Sequence, residues 1–138
     1  MERMVSTEPR SRFLYLSNLA PSFDFGTFKT ILDVSRLRNP AVGISGALVF
    51  DGERFCQLLD GPGAAVQSLI DRLRADPRHV DITVLHAGSN AGNPILPGWA
   101  NGYCGANDLD VFTGEAGLRG EAALAAFAAI VAQSDMSD

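Results

Sequence analysis

Residues 44–59, ISGALVFDGERFCQLL, decide the fold. Two apolar runs, 44–50 and 54–59, flank Asp51-Gly52. That dipeptide supplies the positive φ values of a tight type I′ turn, so the segment reads as a β-hairpin. In the second run Phe55, Gln57 and Leu59 point one way and Cys56 and Leu58 the other. Both faces are apolar, so both must be covered. Gln57 is the misfit, a carboxamide in a buried strand. Leaving such a group unpaired costs about 1–3 kcal/mol. It needs partners, either a nearby loop carbonyl or a ligand.

Upstream of the hairpin, residues 13–18, FLYLSN, read as a strand with Phe13, Tyr15 and Ser17 on one face. A helix follows. Ser22 or Asp24 can cap it, and its inner face is Phe28, Ile31, Leu32, Ser35. Pro40 disfavours helix at Asn39 and sets the expected end near Arg38. Downstream, Pro62 suits the first turn of a second helix capped by Asp60 or Gly61. Val66, Leu69, Ile70 and Leu73 form the apolar face of that helix, which stops near Ala75. Strands are expected at 80–86 and 99–104, with a loop at 87–98. The order β-α-β-β-α-β-β indicates an α+β, ferredoxin-like sandwich with both helices on one sheet face. A C-terminal helix over 120–133, striped with Leu124, Phe127, Ala128 and Val131, can cover the other face. The chain divides into a domain over 11–104 and a C-terminal helical extension over 105–138.

The 138 residues, 46% of them hydrophobic, suffice for a real core. The formal charge of −5 argues against nonspecific nucleic-acid binding and against a polybasic membrane anchor. No apolar run approaches the ~20 residues of a membrane span, and the polar N-terminus lacks the core of a signal peptide. Two cysteines without metal-ligand spacing read as reduced thiols, so a cytoplasmic protein without a metal site is expected.

On the helix-facing side several polar groups converge. Tyr15 and Ser17 come from the first strand, Ser35 and Asn39 from the first helix, and Gln57 from the third strand. Such a set suits a polar ligand. A planar heterocycle with an imide edge matches Asn and Gln, which can each donate and accept side by side.

From Phe13 to about Cys104 the chain resembles a BLUF domain, the blue-light sensor that uses flavin. The matching pieces are LYLS around Tyr15, SRLRN ending in Asn39, GISGALVF followed by a turn and RFCQLLDGP with Gln57, and ADPRH at 75–79. The resemblance implies noncovalent FAD, with FMN or riboflavin as alternatives. It makes Tyr15 the electron and proton donor and Gln57 the amide bridging it to the flavin. It makes Asn39 the partner of the C4 carbonyl and N3–H, with Arg38 near the C2 carbonyl. Ser35, Asp76 and His79 join the flavin-binding set, and Trp99 resembles the tryptophan of the fifth strand. Two places beyond Trp99 the family usually has Met, and this chain has Asn101. Asn101, which with Trp99 would relay the signal, can either bond Gln57 or point away. About 30 residues follow the domain, too few for a fused cyclase, so the expected output is association, through a homo-oligomer or a separate protein partner. The other readings are a BLUF-like interaction module without photoactivity and a small acylphosphatase-like enzyme.

Overall fold

The computed structural model describes residues 9–21, 25–89 and 94–137. The hairpin forms where the Asp-Gly pair places it, but not through a type I′ turn: Gly52 takes positive φ (105°) and Asp51 does not, because the Asp51 N–H bonds the Arg54 carbonyl and its carboxylate accepts the Glu53 and Arg54 amides. β2 (Ser45–Phe50) pairs antiparallel with β3 (Arg54–Pro62), with Leu48 opposite Gln57. Two strand–helix–strand units interlock around it. β1 (Arg10–Leu19) leads through α1 (Phe25–Ala41) to β2. β3 leads through α2 (Gly63–Ala75) to β4 (His79–Ser89). β5 (Trp99–Tyr103) adds beside β2 in parallel, and β6 (Asp135–Ser137) closes that edge antiparallel. The sheet order is β4-β1-β3-β2-β5-β6, so the first four strands have ferredoxin-like order.

The hydrophobic pattern on both faces of β3 is explained by two separate cores. On one face Phe13, Tyr15, Leu48, Phe55 and Leu59 pack with Ile31 and Leu32 of α1 and Val66 and Ile70 of α2. On the other, Leu14, Leu16, Cys56 and Leu58 pack with α3 (Gly120–Gln133) and with Leu109 and Phe112 of a short 3-10 turn at Asp108–Phe112. That turn is clamped to the hairpin by Arg54, which bonds both Asp51 and Asp110. The C-terminal helix therefore covers the second face, as its apolar stripe predicts. The stripe centres on Ala123, Leu124, Phe127 and Ile130, with Ala128 and Val131 at its half-buried margin.

Several element boundaries differ from expectation. β1 begins at Arg10 rather than Phe13, and β4 continues to Ser89, three residues into the expected loop, where it stays paired with β1 (Ser11 opposite Ser89). Pro40 does not end α1, which continues to Ala41. The missing N–H falls in the last turn, where its acceptor would be the carbonyl of the exposed Arg36. Asp60 and Gly61 do not cap α2. They remain in β3, because β1 starts at Arg10 and pairs Arg12 with Asp60 and Arg10 with Pro62. Asp60 is fully buried there and bonds the Arg12 guanidinium at 3.0 Å. Pro62 takes the N-cap place of α2 rather than its first turn. β6 has no counterpart in the expected order. Ser22, Asp24 and the side chain of Phe28 lie outside what is described. Cys56 and Cys104 are free thiols. Among the described residues no helix is long and apolar enough to cross a membrane.

Candidate functional site

α1 packs over β2 and β5, while α2 packs over β1, β3 and β4. The two helices therefore leave a cleft between them. It has a volume of about 350 Å³, within the ~300–1,000 Å³ range of small-molecule sites. Ile31, Val34, Ser35, Arg38 and Asn39 form the α1 wall, and Leu69, Arg72 and Leu73 the α2 wall. Residues 75–79, including Asp76 and His79, close one end. Five expected site residues, Ser35, Arg38, Asn39, Asp76 and His79, thus meet in one space from α1 and from the link between α2 and β4. Apolar walls with a few polar groups are what a flat aromatic ligand needs.

Among the described residues, two buried side-chain atoms have no partner, and both belong to residues of this lining. Asn39 is 2% exposed and its Nδ2 has no partner; His79 is 6% exposed and its Nε2 has none either. Buried polar atoms are nearly always bonded, and each exception calls for an explanation. Both orphans belong to cleft-lining residues, and a bound heterocycle offering carbonyl, ring-nitrogen and N–H groups would satisfy Asn39 Nδ2 as a donor and His79 Nε2 in either tautomer. The polar set therefore fits a flavin.

The remaining polar groups lie on the sheet beside the cleft. Tyr15 and Gln57 are directly opposite each other on β1 and β3. The Tyr15 hydroxyl donates to Gln57 Oε1 at 3.1 Å, with both side chains buried. Neither residue lines the cleft. Tyr15 adjoins a cleft-lining residue, His79, whose ring stands edge-on to it at 6.3 Å. Burial pushes the Tyr15 pKa far above its ordinary value, so the phenol stays protonated. Burial lowers the pKa of His79, which keeps the imidazole neutral. Its Nδ1 meets the Ser17 hydroxyl at 3.1 Å, which fixes the ring. Asp76 is already engaged: Arg78 grips both of its carboxylate oxygens, and that hydrogen bonding holds its pKa below the usual range.

Asn101 and Trp99 stand apart from this set. Cross-strand pairing places Tyr15, Gln57, Leu48 and Asn101 in one row across β1, β3, β2 and β5. Leu48 thus separates Gln57 from Asn101, two strand spacings of roughly 4.8 Å each. Asn101 does not bond Gln57. Its Oδ1 accepts the Trp99 indole N–H at 2.8 Å, and its Nδ2 donates to the Leu32 carbonyl of α1 at 3.0 Å. Trp99 is buried in the helix-side core. The Ser17–His79 bond and the contact to Leu32 were not legible in sequence. Both join segments more than 60 residues apart, and a backbone carbonyl leaves no signature in residue identity.

The model of a protein family described as sensors of blue light using FAD matches residues 11–99. Over 72 residues, 52% of this chain, the sequence is 35% identical to photoactivated adenylate cyclase subunit beta of Euglena gracilis. The chain spans only 8% of that relative's length. The solved structure of BlrB, a BLUF protein in its dark state, superposes with a TM-score of 0.57 at 27% identity, covering 64% of this chain and 67% of that one. The photo-activated state of BlsA superposes with a TM-score of 0.70 over 88% of this chain and 94% of that one; at 20% identity it speaks to the fold alone. These matches lend the acylphosphatase alternative no support.

Proposed function

Because the chain belongs to the BLUF family of sensors of blue light using FAD, we propose that it is itself a photoreceptor that holds FAD between α1 and α2. A BLUF domain is a sensor domain and not itself catalytic. The observation that carries this reading is the pair of unpartnered buried atoms, Asn39 Nδ2 and His79 Nε2, on the lining of one cleft. Asn39 holds the imide edge of the ring and His79 orients it. Ser35 and Arg38 complete the α1 wall. Asp76, neutralised by Arg78, shapes the closed end.

Bound flavin supplies blue-light absorption and, once excited, an oxidant able to draw an electron from a nearby phenol. The protein's part lies in Tyr15 and Gln57. The Tyr15 phenol is kept neutral by burial and holds its proton on one acceptor, Gln57 Oε1. A phenol that has lost an electron is a strong acid, so its proton would move along the existing bond to Gln57 Oε1 while the amide gave up an N–H proton on its other side, and return of an electron and a proton would restore the Tyr15 phenol. The amide then exchanges its donor and acceptor roles, and its hydrogen bonds rearrange without covalent change to the cofactor. Such a rearrangement can bias a two-state element of the fold.

The domain over 11–104 carries this chemistry. Within the segment 105–138, α3 and the 3-10 turn cover the opposite sheet face, and output passes to a second copy or a separate protein. An absorption spectrum tests the reading. The purified protein should be yellow, and its flavin band should shift slightly to the red after blue light. A protein that stays colourless after incubation with FAD would overturn it. A yellow protein with an unmoving band would reduce it to a flavin-binding interaction module.

A further inference from the structure

α1 carries one wall of the cleft. Among its residues whose side chains are described, Ile31 and Leu32 are the buried apolar ones, while Val34 and Leu37 are exposed. At that same turn a polar tie arrives from the sheet, the bond from Asn101 Nδ2 to the Leu32 carbonyl. A neutral carboxamide can donate there while accepting the Trp99 indole N–H with its other end. Residues 32, 35 and 39 are spaced i, i+3, i+7 and share one side of the helix. The tie therefore lies one turn from Ser35 and two from Asn39, both of which line the cleft.

We propose that Asn101 is a positioning residue of the cleft: by fastening the Leu32 carbonyl to β5 it sets how far the Ser35–Asn39 wall stands from α2, and hence how tightly the flavin is held. The inference rests on the reading of the cleft as a flavin site. It assigns Asn101 a route through α1 rather than through Gln57, from which Leu48 separates it.

The test uses the full chain with FAD as the probe and compares three variants. Asn101→Leu removes both bonds. Trp99→Phe removes only the indole bond and leaves the tie to Leu32. Ile130→Ala weakens the opposite core, where Ile130 is buried. FAD affinity measured by equilibrium dialysis should fall about tenfold or more in Asn101→Leu and stay within about twofold in the other two. In the ligand-free protein, hydrogen exchange of amides 35–43 should quicken in Asn101→Leu but not in Trp99→Phe. Wild-type affinity in Asn101→Leu, or an equal loss in Trp99→Phe, overturns the proposal. If Asn101→Leu alone does not fold, the double variant Trp99→Phe/Asn101→Leu, which removes the orphaned donor with its acceptor, is compared with Trp99→Phe. If the wild type takes up no FAD, the proposed function fails and the exchange comparison decides alone: unchanged exchange across 35–43 then overturns the role of Asn101.

Discussion

The Tyr15–Gln57 hydrogen bond is the smallest unit on which the function turns. It joins a phenol kept protonated by burial to an amide that can exchange donor and acceptor. Tyr15→Phe and Gln57→Leu should each keep flavin and lose the light-induced shift, as difference spectra would show. If both still shift, the proton path is wrong. Asn39 behaves differently. Its Nδ2 is buried without a partner, a state that costs about 1–3 kcal/mol. Asn39→Ala should therefore leave the ligand-free protein no less stable in urea denaturation, while flavin affinity falls about tenfold. His79 adds a pH dependence. Burial places its folded pKa below the ordinary 6.5, so the unfolded chain binds a proton that the folded one refuses. Its contribution is whole above pH 6.5 and is lost as pH falls toward the folded value. Melting temperature should decline as pH drops below 6.5, with a shallower slope in His79→Gln. Asp76 acts lower, as pH falls below its ordinary 3.8 and the pair with Arg78 is titrated.

At the level of elements, local rules located the strands and helices and misjudged where some of them stop. The place of the hairpin and the alternation of residues 55–59 were readable because turn residues and period-two patterning are local, whereas the turn type was not, because Asp51 caps the turn with its side chain instead of taking positive φ. The extension of β3 through Asp60 to Pro62 was not, because it depends on β1 beginning at Arg10 to pair with it. The same holds at the β4 edge, where pairing with β1 shifts register twice, near Leu14/Tyr15 and Leu16/Asn18. Asp81 lies in the second irregular stretch at φ 55 and accepts a bond from Asn18 at 3.1 Å. Gly46 shows how tightly β2 is fitted. Its φ is 137°, and an added Cβ would overlap the Leu58 carbonyl. Gly46→Ala should cost about 2 kcal/mol or more through backbone strain and displacement of β3. Chemical denaturation checks it, and an unchanged midpoint would show that β2 can shift freely.

Across the whole molecule, the sheet is a wall between two cores, one facing the cleft and one under α3. α3 is short and rich in Ala, so in water it is marginal on its own and stands by burying Leu124, Phe127 and Ile130. Phe127→Ala should cost about 3–5 kcal/mol. The two cores share every central strand, so unfolding should be one transition. Far-UV ellipticity and flavin release should give the same midpoint. Separate midpoints would mean that α3 unfolds independently of the cleft.

The amino-acid sequence alone determined the ferredoxin-like order, the two-sided burial of the central strands, the helix that covers the second face and the polar residues that gather on the first. Each follows from periodicity, turn chemistry or a motif, all of which act within a few residues. Tertiary structure alone decided which of those polar residues are already satisfied. Gln57 finds Tyr15 and Ser17 finds His79, while Asn39 and His79 each keep one buried atom unpaired on the cleft. It also decided where Asn101 points, with Leu48 between it and Gln57 and the Leu32 carbonyl within reach. Hydrogen-bond satisfaction depends on distances set by strand register and helix placement across the fold, and no local pattern in the chain encodes them.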